Sequence, residues 1–205
     1  MKIIIQDNQF KISVLFIHGY NKTGSQWNIS EYGKEIGIES HIRKTRNTIL
    51  ISLEDEDYQR PINDVIAEIY ESIKHLKIIA VCHSYGAIFT TAMAIAYPKL
   101  FTKMIMLDPT IKSDNLLAYL KSLPETDNNN YKINHFDTLP DHLLIPKHII
   151  VIIHLNVTKD SYDDMLILDK ITKHHVKSRL IVHVGVGHMI HYQLPHIIID
   201  SIKSY

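Results

Sequence analysis

The chain has a single cysteine, Cys82, among its 205 residues, so no internal disulfide framework is open to it. A lone thiol suits a reducing compartment. Net charge is missing as well: 22 lysines and arginines stand against 22 aspartates and glutamates. Without a global field, nothing pulls the protein toward nucleic acid or an anionic membrane surface. Long apolar runs are also absent. Nothing approaches the roughly 20 consecutive apolar residues of a membrane span. The run Met1 to Ile5, followed by Asp7 and Asn8, is too short for the apolar core of a secretory leader. No internal repeat is present. These absences lead to the expectation of a cytoplasmic protein with neither nucleic acid nor membrane as partner; they leave monomer and homodimer both open.

What is there fits one globular domain spanning 1–205. The apolar fraction is 45% and the charged fraction 21%, ordinary values for a chain with one substantial core. Histidine is plentiful at 14 residues. His174 and His175 are adjacent and would point apart, and His183, His188 and His191 lack the spacing of a zinc site with an intervening glutamate. No metal is expected.

Short β-branched runs alternate with helical stretches, which is the pattern of a mostly parallel sheet covered by helices on both faces. Strands are expected at Lys2 to Ile5, Lys11 to Ile17, Thr48 to Leu53, Lys77 to Cys82, Lys103 to Leu107, Lys147 to Ile153 and Arg179 to Val184. From Pro61, apolar residues at Ile62, Val65, Ile66, Ile69, Ile73 and Leu76 repeat with helical period. Tyr85 to Tyr97 is apolar nearly all round, as a deeply buried helix should be, and Pro98 stops it. A last helix follows Pro195. Asn21 to Arg46 predicts a loop with a short helix, and 110–146, with Pro124, Pro140 and Pro146, an irregular lid-like insertion.

Three turns carry chemistry. Cys82-His83-Ser84-Tyr85-Gly86 lies where a strand meets the buried helix, the position of a nucleophile elbow of the form G-x-S-x-G. That turn is so tight that the residues two before and two after the serine must be small. Gly86 meets the demand, and Cys82 stands where the first glycine is usual. His18-Gly19-Tyr20 ends an earlier strand and could turn backbone N–H groups toward the same site, Tyr20 pairing with Tyr85 as oxyanion donors. Gly185-Val186-Gly187-His188 follows the last strand. Its glycines allow the close approach a general base needs, and His188 would take the Ser84 proton and return it to the leaving group. The carboxylate behind His188 is expected after the strand Lys147 to Ile153. Asp160, Asp163 and Asp164 all follow it; Asp160 is favoured because 156–159 can turn it back to the sheet. Asp108, ending another strand, is the alternative.

The order serine, aspartate, histidine resembles the α/β-hydrolase superfamily, and the resemblance covers nearly the whole chain. His18-Gly19 with Trp27 downstream, Cys-His-Ser-Tyr-Gly and Gly-Val-Gly-His are similar to that family's oxyanion turn, elbow and histidine loop. The resemblance implies Ser84 as nucleophile, His188 as base, Asp160 as acid (Asp108 the alternative), Tyr20 and Tyr85 as backbone oxyanion donors, His18 and Gly19 as supporting residues, and no cofactor. It implies a serine esterase, thioesterase or lysophospholipase-like enzyme acting on a small ester or thioester. A non-catalytic binding module on the same fold is the alternative from another class.

Overall fold

The computed structural model describes residues 1–19, 24–28, 37–124, 136–156, 162–175 and 177–204. Seven strands form one sheet: β1 (Lys2–Gln6), β2 (Ser13–Ile17), β3 (Asn47–Ser52), β4 (Ile78–His83), β5 (Phe101–Leu107), β6 (Ile150–Asn156) and β7 (Arg179–His183). Their spatial order is β1-β3-β2-β4-β5-β6-β7. Every pairing is parallel except that of β1 with β3. Asp7 and Asn8 therefore lead the chain away from β1 to β2 two places along, and the Asn8 N–H donates to Asn47 Oδ1 at 2.8 Å.

Side-chain alternation along the strands divides the core into two layers. Leu15, Ile17, Ala80, Cys82, Met104, Met106, Val151 and Ile153 face α2 (Ile62–Ile73), α3 (Gly86–Ala96) and α5 (Tyr162–His174). Val14, Phe16, Ile79, Val81, Ile105, Leu107 and Ile152 face α1 (Ile38–Ile42), α6 (Ile190–Gln193) and α7 (Pro195–Lys203). Each fully buried aliphatic side chain contributes about 1.5–3 kcal/mol relative to exposure. Those on the central strands are covered on both faces, which is why their sequences read as continuous apolar runs. α3 has no polar face, because it lies across the middle of the sheet with Gly86 through Ala94 all buried.

Two polar groups in the second layer are held by specific bonds. Lys103, buried on β5, donates from Nζ to the carbonyls of Ser201, Ile202 and Ser204, closing the C-terminus of α7. A cation is well placed against carbonyls at the C-terminal end of a helix. Burial nevertheless pushes its pKa down to about 8, with Arg179 and Arg46 adding to the effect. His154 on β6 links β7 to α7. The Ser201 hydroxyl donates to Ile197 O, so His154 Nε2–H donates to Ser201 Oγ at 3.0 Å, and His183 Nε2–H donates to His154 Nδ1 at 3.0 Å.

The described part of 110–146 contains α4 (Asp114–Ser122), capped by the Ser113 hydroxyl, which accepts from the Leu116 N–H, and two 3-10 turns, Phe136–Thr138 and His142–Leu144. Leu120 is buried, while Tyr119, Leu143 and Leu144 are exposed. Among the described residues, no helix is long and apolar enough to cross a membrane.

Candidate functional site

β4 ends at His83 and α3 begins at Gly86, leaving Ser84 and Tyr85 to make the turn. Ser84 takes φ of 50°, a left-handed conformation that costs a non-glycine residue about 1–3 kcal/mol. The turn is held from both sides. The Ser84 N–H donates to Leu107 O at 3.0 Å, and the N–H groups of Ala87 and Thr110 both donate to Ser84 O at 3.0 Å. Gly86 is required by contact: a Cβ there would lie 2.6 Å from His18 O and 2.7 Å from Ile17 O. Cys82 is accommodated because its side chain enters the α3 layer, where Sγ–H donates to Ile105 O at 3.7 Å. Burial pushes its thiol up to about 12, so it stays protonated beneath the turn.

The His18-Gly19 turn lies directly against this elbow. A Cβ on Gly19 would come within 3.0 Å of both His83 Nδ1 and Ser84 Cβ. The His18 ring is buried and spent on backbone: Nε2 accepts from the Leu53 N–H at 2.8 Å, so Nδ1–H donates to Gly19 O at 2.6 Å. Burial lowers its pKa, which suits that neutral state. His18 thus ties the end of β2 to the chain leaving β3 and leaves no ring nitrogen for a substrate. Tyr20 lies outside the described residues. Tyr85 opens α3, with its ring edge-on to Tyr58 at 5.9 Å and to Phe89 at 6.1 Å.

His188 sits on the loop after β7, and its Nδ1 is bonded to Asp108 Oδ2. The other oxygen, Oδ1, accepts from the Asn156 N–H at 3.2 Å. Asp108 follows β5 directly, has φ of 42°, and donates its N–H to His154 O at 2.7 Å. A proton on Nδ1 facing the carboxylate leaves Nε2 as the basic nitrogen. The carboxylate against His188 is therefore the alternative one. Asp160, favoured from the sequence, lies outside the described residues, and Asp163 and Asp164 fall within α5. The preference for Asp160 assumed that β6 ends at Ile153. It continues to Asn156, whose N–H meets Asp108.

The pattern Cys-His-Ser-Tyr-Gly treats His83 as a free position, yet His83 is buried and its Nε2–H donates to the His188 carbonyl at 3.0 Å. Its ring packs 4.6 Å from that of His188 and 4.9 Å from that of His191. Strand alternation, which puts His83 on the face of Ile79 and Val81, is the signal that reveals it. His191 continues this row of tilted rings toward Trp27, at 4.8 Å. Its pKa is pushed down to about 2 by burial first, then by His83 and His188.

No family model and no curated protein sequence matches the chain. Solved structures do. A marine microorganism esterase is 15% identical with a TM-score of 0.65, the match covering 100% of this chain and 98% of that one. A structure from a study of carboxylesterases of the ammonia-oxidizing thaumarchaeon Nitrososphaera gargenis is 14% identical with a TM-score of 0.69, covering 98% and 92%. A hydrolase from Oleispira antarctica is 12% identical with a TM-score of 0.66, covering 99% and 94%. Over its full length, the chain has the α/β-hydrolase fold.

Proposed function

We propose that this protein is a serine hydrolase that cleaves a carboxylic ester or thioester through an acyl-enzyme on Ser84. The observation that supports this most directly is the His188–Asp108 pair beside a strained serine turn. The esterase and hydrolase names of its structural neighbours agree with it. In this reading Ser84 Oγ attacks the acyl carbonyl while His188 Nε2 takes its proton. The resulting oxyanion is met by backbone N–H groups of Tyr85 and Tyr20. Collapse breaks the bond to the alcohol or thiol, which leaves with the proton from His188. Water then enters by the same steps in reverse, giving the carboxylic acid and free Ser84. Asp108, rather than Asp160, holds the imidazole and balances its positive charge.

We take the 110–146 insertion as a candidate cover for the acyl chain, since Tyr119, Leu143 and Leu144 leave apolar surface on it. A reducing compartment fits the single buried thiol. The test is labelling by a fluorophosphonate: the wild type should be modified at Ser84 and Ser84→Ala spared. Absence of labelling, together with no turnover of p-nitrophenyl esters of any acyl length, would leave the non-catalytic binding module as the better reading.

A further inference from the structure

The loop that carries His188 has little packing of its own. Val184 is 84% exposed, and Gly185, at φ of +76°, has nothing within 4 Å of where a Cβ would be. His188 itself has a side chain 55% exposed. A base carried on such a segment needs anchors from elsewhere, because a misplacement of about 1 Å can cost on the order of 100-fold in rate. Three described bonds supply them. Gln193 Oε1 accepts from the Gly187 N–H at 2.9 Å, Asp108 takes the His188 ring, and His83 takes the His188 carbonyl.

Of the three, only the bond from His83 arises within the elbow. A carbonyl can only accept, so His83 Nε2 carries the proton and donates it. The donor ring is rigidly placed. It ends a central strand, is 1% exposed, lies against the Gly19 turn on one side and meets the ring of buried His191 edge-on at 4.9 Å. Adjacent residues of the chain, His83 and Ser84, thus hold respectively the backbone of the base and the hydroxyl it serves.

Resting on the reading of Ser84 and His188 given above, we infer that His83 is a positioning residue that fixes the base loop to the nucleophile elbow through the His188 carbonyl. The inference separates the hydrogen bond from the bulk of the ring. Leucine at 83 fills space without donating. Glutamine places an amide N–H near the position of the imidazole Nε2–H.

The test compares His83→Leu, His83→Gln and Ser84→Ala on one p-nitrophenyl ester, with melting temperature recorded for each. His83→Leu is expected to lower kcat by roughly 10- to 100-fold, the scale of a misplacement near 1 Å, with KM changed by less than about 3-fold. His83→Gln should recover most of that loss. Wild-type kcat in His83→Leu, or no recovery with glutamine despite an equal melting temperature, would overturn the inference while Ser84→Ala remains inactive. Full activity in Ser84→Ala would instead overturn the underlying reading of the site, and the inference with it.

Discussion

Ser84 and Asp108 occupy equivalent places one residue beyond the ends of adjacent parallel strands, and both are left-handed, with φ of 50° and 42°. The register of β4 and β5 pairs His83 with Leu107, so the two residues that follow sit side by side. The Ser84 N–H donates to Leu107 O, joining the turns directly. Two such conformations at neighbouring strand ends are costly for non-glycine residues, and strain of this kind collects at functional sites.

That strain predicts an inverted order of stability. Inside helices and strands alanine is more stable than glycine by about 0.5–1 kcal/mol. At Ser84, where the hydroxyl is lost in either case, Ser84→Gly should be at least as stable as Ser84→Ala, because glycine adopts φ of 50° without a Cβ penalty. Urea unfolding of the two variants checks this. The usual order would show that the turn relaxes when the serine is removed.

The carboxylate can be tested without disturbing the turn. Asparagine tolerates a left-handed conformation, so Asp108→Asn should fold normally while removing the charge beside His188. Turnover is expected to fall by on the order of 10³-fold or more if Asp108 holds the base. Asp160→Asn should stay within about 3-fold of wild type if Asp108 alone partners His188. Steady-state kinetics on both variants decides between the two carboxylates.

Gly86 should be intolerant of even one methyl group. Gly86→Ala would bring Cβ to 2.6 Å from one backbone oxygen and 2.7 Å from another, so α3 must move away from the end of β2. A loss of about 1–3 kcal/mol in stability is expected from such overpacking. Activity should fall as well, because the displaced helix start carries the Tyr85 N–H. A variant with wild-type melting temperature and rate would contradict this.

Buried histidines make the protein acid-sensitive. Burial is the main cause that lowers the pKa of His142 and His154 to about 4 and of His191 to about 2. In the unfolded chain each titrates near 6.5. The folded state holds them neutral, so their contribution is intact above pH ~6.5 and is lost as pH falls from there toward the folded values. Each can remove up to about 1.4 kcal/mol per pH unit, and together they approach the stability of a typical domain within about two units. Urea midpoints at pH 7.5 and 5.5 should differ markedly, and His191→Phe should reduce the difference. Equal midpoints for the wild type would refute the argument.

Most of the fold was legible because strands covered on both faces leave a continuous apolar record. The expected segments lie within three residues of β1 through β7. α5 escaped notice. Tyr162–His174 mixes Asp163, Asp164, Asp169, Lys170 and Lys173 with its apolar residues, and only one side of it enters the core, through Leu168 and Ile171. The tight turn at Ser84 and the loop of His188 were readable as local patterns of glycine next to a polar side chain. The partner of His188 was not. Its identity depends on which strand end lies beside the last loop, a relation between β5 and β7 that spans 80 residues of sequence.

The thiol under the elbow gives the protein an internal clock of its own opening. Cys82 is the chain's only cysteine, wholly enclosed, and protonated to about pH 12. An alkylating reagent in solution can reach it only when β4 and α3 separate, and it then meets a thiol of ordinary acidity. The rate of alkylation therefore counts excursions that disassemble the Ser84 turn, one molecule at a time and without any ligand present. A ligand that closes the site would slow that clock, which makes a single mass measurement over time a way to find what binds there.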